Sequence, residues 1–100
     1  MDLSKYEDFK PEDYLNTPED VKAFLMESLE QNDTDEFIEA LGIVSRSKGM
    51  KQISTETGLS YQSLYKTFMK GKQPRFSTIT NVLNALGLKL SLTNADVKTA

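Results

Sequence analysis

The chain has 100 residues, 38% of them hydrophobic, with no cysteine, no histidine and a net charge of −3. That is enough chain for one small core. It offers no disulfide framework or thiolate metal site, and it lacks both the commonest general base and the commonest zinc ligand. A non-enzymatic protein without metal or cofactor is therefore expected. No apolar run approaches the roughly 20 residues of a membrane helix, and Met1-Asp2-Leu3 leads into no apolar stretch of a signal peptide, so a cytoplasmic protein is expected.

Charge is segregated along the chain. Residues 1–45 hold 13 acids against three bases, a balance of −10. Residues 46–90 hold eight bases against one acid, Glu56, a balance of +7, and the last ten residues balance at zero. Such clustering creates local potential that a small net charge conceals. It points to two functional faces, a basic one suited to a polyanion and an acidic one suited to a basic partner.

Residues 1–16, MDLSKYEDFKPEDYLN, mix Tyr6, Phe9, Tyr14 and Leu15 with charges and Pro11, without a helical or strand period. They read either as a terminal arm, mobile or extended on the body, or as a partner-binding segment anchored by its aromatics. A helix follows, with Thr17 as N-cap, Pro18 at N1 and Asp20 placed to complete a capping box. Its apolar face is Val21, Phe24, Leu25, Ser28 and Leu29, and Met26 is assigned to packing. Gln31-Asn32 ends it. Asp33 caps a second helix with Glu36 three residues later; Phe37, Ile38, Leu41 and Val44 form its inner face, and Gly49 suits a left-handed stop, with Met50 packing.

Two short helices come next, about Lys51–Thr57 and Tyr61–Met69, broken at Gly58. Gly58 suits a turn that needs positive φ. Ser54 is small where the two helices would approach, Ile53, Leu59 and Leu64 point into the angle, Phe68 closes the far end, and Ser60 caps the second helix. This is the outline of a helix-turn-helix over about residues 50–69, in which Thr57 and Thr67 stand where aliphatic residues are commoner. With Leu64 and Phe68 on the buried line, and Tyr65 also assigned to the core, Tyr61, Gln62 and Lys66 become candidates for base edges in a major groove: Gln can pair bidentately with adenine, and Lys can donate to guanine. Lys51, Gln52, Ser60, Ser63, Lys70, Lys72 and Arg75 suit phosphates.

Gly71–Pro74 reads as a turn. Ser77 is expected to cap a fifth helix carrying Ile79, Val82, Leu83 and Leu86 and stopped by Gly87. Leu88-Lys89-Leu90-Ser91-Leu92 alternates strictly and reads as a short half-buried strand. The remaining residues read as a loose tail.

The runs EALGIVSRSKGM, ISTETGLSYQSLYKTF and GKQPRFSTITNVLNALGLKLSL together resemble the Xre/Cro-like helix-turn-helix antidotes of addiction modules, the HigA-type antitoxins, over about residues 18–92. The resemblance implies an all-α, five-helix, lambda-repressor-like domain, here over residues 17–93, between an N-terminal arm (1–16) and a tail (94–100) and carrying the short C-terminal β-strand. It also implies a homodimer that binds double-stranded operator DNA of its own operon, and a cognate RelE/HigB-like ribonuclease toxin that it neutralises. By position, operator contacts fall on Ser60, Tyr61, Gln62, Ser63 and Lys66. Tyr6, Phe9, Tyr14 and Leu15 are the toxin-binding candidates. The alternative is a stand-alone Xre-family repressor of phage or mobile-element origin.

Overall fold

A computed structural model describes residues 15–31, 33–69 and 71–95. The expected arm residues Tyr6, Phe9 and Tyr14, together with Lys70, lie outside the described residues.

The described residues form five helices: α1 (Pro18–Glu30), α2 (Thr34–Lys48), α3 (Met50–Thr57), α4 (Tyr61–Thr67) and α5 (Phe76–Ala85). Local chemistry sets the first two starts. The Thr17 hydroxyl accepts from the Asp20 amide at 3.1 Å, and the Asp20 carboxylate accepts back from the Thr17 amide at 3.2 Å, closing the capping box ahead of Pro18. The Asp33 carboxylate accepts from the amides of Asp35 and Glu36. These bonds satisfy donors that a helix start otherwise leaves open.

Packing runs α1 on α2, α2 on α3, and α3 on both α4 and α5. The core is continuous through Leu25, Phe37, Ile38, Ala40, Leu41, Val44, Met50, Ile53, Leu64, Ile79, Val82 and Leu83. Leu41, Ile53, Leu64 and Val82 are completely buried. Buried beside them, the Ser45 hydroxyl donates back to the Leu41 carbonyl at 2.8 Å. Among the described residues no buried side-chain nitrogen or oxygen lacks a partner. Lys48 fastens the ends together, its Nζ donating to the Ala85 carbonyl and lying 3.6 Å from the Glu56 carboxylate. The Asn81 side-chain amide donates to the Thr57 carbonyl at 3.2 Å, tying α5 to the end of α3.

Several expectations are corrected. The alternating stretch Leu88–Leu92 is not a strand, and no strand occurs among the described residues. Its first leucine belongs instead to the end of α5. The Leu88 amide donates to the Leu83 carbonyl at 2.8 Å and the Gly87 amide to that of Asn84 at 2.9 Å, with Gly87 at φ +80°. That is the bonding of a Schellman stop, in which the residue after the glycine folds back on the helix. Leu88 packs on the core, whereas Leu90 and Leu92 are exposed.

The fifth helix starts two residues earlier than Ser77 suggested, with Arg75 at the N-cap and no side-chain bond there. The third starts one residue earlier, at Met50, and the fourth ends at Thr67 rather than Met69. Gly49 has positive φ, but its ψ of 114° lies outside the left-handed helical region. Met50 is buried as expected, but Met26 and Leu29 are about half exposed, on the outer side of α1. Tyr65 is not core: α4 turns it to solvent at 43% exposure.

Candidate nucleic-acid interface

The turn Gly58-Leu59-Ser60 fixes α4 against α3. Gly58 ends α3 at φ +77°, ψ +3°, its amide donating to the Ser54 carbonyl at 2.9 Å. Only glycine takes that left-handed conformation without a Cβ penalty. The Ser54 hydroxyl donates to the Leu59 carbonyl at 2.6 Å, so the small residue at the close approach also bonds the turn. Thr57, an irregular residue for this position, has a local role. Its hydroxyl donates to the Ile53 carbonyl at 2.7 Å and accepts from the Leu59 amide at 3.2 Å. Ser60 then caps α4, accepting from the Ser63 amide at 3.0 Å and donating to the Ser63 hydroxyl at 2.8 Å. Thr67, the second irregular residue, donates back to the Ser63 carbonyl at 2.8 Å.

A helix of seven residues is too short to stand alone in water, so α4 exists because Leu64 is buried and Phe68 packs on the core behind it. The tightest point is at Gly42, in the middle of α2. A Cβ there would come within 2.9 Å of the Phe68 Cβ and 3.1 Å of its Cγ. Gly42 is the residue most clearly missed in the sequence. Its signal was a glycine inside a helix, which costs about 1 kcal/mol relative to alanine and calls for a packing reason.

Tyr61, Gln62, Ser63, Tyr65 and Lys66 of α4 are all exposed, Gln62, Ser63 and Lys66 away from Leu64 and the two tyrosines along the margin of the buried face. The Tyr61 and Tyr65 rings, one turn apart, lie 5.1 Å between centroids and are inclined by 46°, with their hydroxyls 3.5 Å apart. The bond to Tyr65 raises the Tyr61 phenol above its ordinary value, with the neighbouring phenol's charge and slight desolvation acting the same way.

The other candidates divide by element. Lys51 and Gln52 are exposed on α3, and the Gln52 amide donates to the Glu56 carboxylate at 3.1 Å. Lys72 and Arg75 are exposed in the connection to α5. The Ser60 hydroxyl is committed to the cap, which leaves Ser63 with the hydroxyl proton that can donate outward. Glu56, the single acid of residues 46–90, is held by Lys48 and Gln52. The basic half thus carries no uncompensated carboxylate among its described residues. Leu15, a candidate for partner binding, is partly buried against the core.

The acidic half meets the basic half at an open groove. Asp33, with Asp35, Glu36, Glu39 and Arg46 of α2, lines it together with Lys72. Among the described residues no group of acids is placed to hold a metal ion, and no helix is long and apolar enough to cross a membrane.

The described residues thus form a small all-helical domain that seats one short helix on its core and presents that helix's polar side. Residues 5–94 match the profile of a family described as "probable addiction module antidote protein", and the chain belongs to that family. An "uncharacterized protein" of Haemophilus influenzae strain Rd is 31% identical over 85 residues, covering 85% of this chain and 88% of the relative. No solved structure matches the chain.

Proposed function

We propose that this protein is the antitoxin of a type II toxin–antitoxin pair, acting in the cytoplasm as a non-catalytic binding protein. In this reading α3 and α4 are a helix-turn-helix of the Xre type. A homodimer inserts α4 into the major groove of its own operator, and the acidic half neutralises a basic, RelE/HigB-like ribonuclease toxin. Membership in an antidote family supports the toxin-directed half. The observation that carries the DNA-directed half is the seating of α4: Leu64 is buried, Ser60 caps the first turn, and Tyr61, Gln62 and Lys66 are exposed. In this arrangement the first turn of the second helix reaches the base edges.

Gln62 and Lys66 read bases, while Lys51, Lys72 and Arg75, with the Ser63 hydroxyl, hold phosphates. Lys70 has the same role by its place in the sequence. A stand-alone repressor would use α4 identically but would leave the acidic half without a partner.

The test is binding to the DNA upstream of the protein's own gene at several salt concentrations, together with co-purification alongside the product of the neighbouring gene. Specific binding should weaken steeply with salt, as expected when several phosphates are neutralised. Gln62→Ala should cost roughly 1–3 kcal/mol on the cognate site and relax sequence preference, whereas Lys72→Ala should weaken all sequences alike. Identical behaviour of the two variants would refute the division of roles. Absence of footprint protection upstream of the gene would refute autoregulation, and a neighbouring product that neither binds nor is neutralised would refute the toxin-directed half.

A further inference from the structure

The two exposed tyrosines of α4 are unexplained by packing. The helix buries Leu64 completely, yet leaves its helical neighbours Tyr61 48% and Tyr65 43% exposed along the margin of the buried face. Spaced four residues apart, they lie along one edge of the helix. The tyrosines are in contact with each other, ring against ring and hydroxyl against hydroxyl.

We propose that Tyr61 and Tyr65 form one reading unit. Tyr65 is a positioning residue that holds the Tyr61 ring at the edge of α4, and the Tyr61 ring packs on the C5-methyl of a thymine beside the base pair read by Gln62. This rests on the DNA-directed reading of α4 given above and adds the base that α4 selects. Four observations favour it. First, thymine is the base that presents a methyl group in the major groove, and apolar surface is what recognises it. Second, the tyrosine ring supplies that surface while its hydroxyl stays in the wet groove. Third, Gln62 and Lys66 are exposed on the same helix, and no acid occurs from Thr57 through Ala95 to repel a polyanion. Fourth, the contact with Tyr65 limits the conformations Tyr61 must give up on binding. Ordering a free side chain at an interface weakens affinity by roughly two- to tenfold.

The experiment uses the full chain and the DNA upstream of its gene, or a site selected from random DNA, with each thymine of one half-site replaced in turn by deoxyuridine. That exchange removes a methyl and leaves base pairing intact. The wild-type protein should lose about fourfold in affinity at one or two positions, the value of one buried methyl group. Tyr61→Ala should bind the thymine and deoxyuridine sites equally. Tyr65→Ala should bind roughly two- to tenfold more weakly with a reduced methyl effect. Tyr65→Phe should keep most of the methyl effect, because the ring stays in place, while Tyr61 titrates closer to an ordinary phenol. Both positions are exposed, so circular dichroism should show the variants folded.

Sequence-specific binding with no deoxyuridine penalty at any position would overturn this inference alone. So would a penalty of the same size in the wild type and Tyr61→Ala. Failure to bind any DNA sequence would overturn the DNA-directed reading and this inference with it.

Discussion

Gly42→Ala separates two opposing effects that the structure allows to be weighed. In an ordinary helix interior this change stabilises by roughly 0.5–1 kcal/mol, because glycine loses more backbone freedom on folding. Here the new methyl would lie 2.9 Å from the Phe68 Cβ and 3.1 Å from its Cγ, with the Arg46 guanidinium at 3.4 Å. The nearest atom is the root of a side chain, so relief requires a backbone shift of several tenths of an ångström where Phe68 joins α4. Overpacking of this kind costs about 1–3 kcal/mol. The net expectation is a destabilisation of roughly 1 kcal/mol, or about 4–8 °C in melting temperature for a domain of this size. The assay is thermal and urea unfolding of Gly42→Ala, Phe68→Ala and the double variant. Phe68→Ala removes the ring that pins the segment and lets its backbone retreat. In that background Gly42→Ala should become neutral or stabilising, giving a coupling on the order of 1–2 kcal/mol. If Gly42→Ala raises the melting temperature equally in both backgrounds, the close approach is not what selects glycine.

Thr17→Ala and Asp33→Ala should each lower unfolding free energy by about 1 kcal/mol, the usual value of an N-cap, as read by urea denaturation. Gly58→Ala meets no atom within 4 Å of the new Cβ, so its cost is conformational alone, about 1–2 kcal/mol for the left-handed backbone; an unchanged melting temperature would refute that assignment. Tyr61 should ionise above the ordinary phenol value of 10.0, and tyrosinate absorbance should show Tyr65→Phe shifting it down. With the folded value raised, this contribution to stability is complete below pH 10 and is lost as pH rises through the folded value, because the unfolded chain ionises first.

What could be read from the sequence was local. The Thr17–Asp20 box, the Asp33 cap, the Gly58 turn and the Ser60 cap each join residues at most four apart, and each is present where the residue types placed it. The misreadings arose where local pattern and tertiary packing compete. Strict alternation over Leu88–Leu92 looks like a strand, but a strand needs a ladder partner, and Leu88 is taken up by the stop of α5. Tyr65 sits beside Leu64 on a helix of seven residues, where a rotation of one position moves a side chain from core to solvent. Gly42 and Phe68 are 26 positions apart, and Lys48 and Ala85 are 37 apart. No window of sequence connects such pairs. The candidate DNA residues were placed by register from the Ser60 cap and the buried line of Leu64 and Phe68, which is why Tyr61, Gln62 and Lys66 emerge exposed as expected.

The seating of α4 separates stability from recognition in a way mutagenesis can use. Everything that holds the helix lies behind it or at its ends: Leu64 in the core, Phe68 packed against it, Gly42 beside Phe68, and Ser54, Thr57 and Ser60 at the turn. Apart from the ring contact of Tyr61 and Tyr65, none of those bonds involves the exposed side chains of Tyr61, Gln62, Tyr65 or Lys66. On the DNA-directed reading proposed above, substitutions on the exposed side should therefore alter DNA binding at nearly constant unfolding free energy, because surface changes away from such features usually stay within about 0.5 kcal/mol. Substitutions behind the helix should lower stability and DNA binding together, because a helix this short does not persist once its packing is lost. A variant such as Gly42→Ala that weakens DNA binding should regain it on cooling or under stabilising solutes, whereas Gln62→Ala should not.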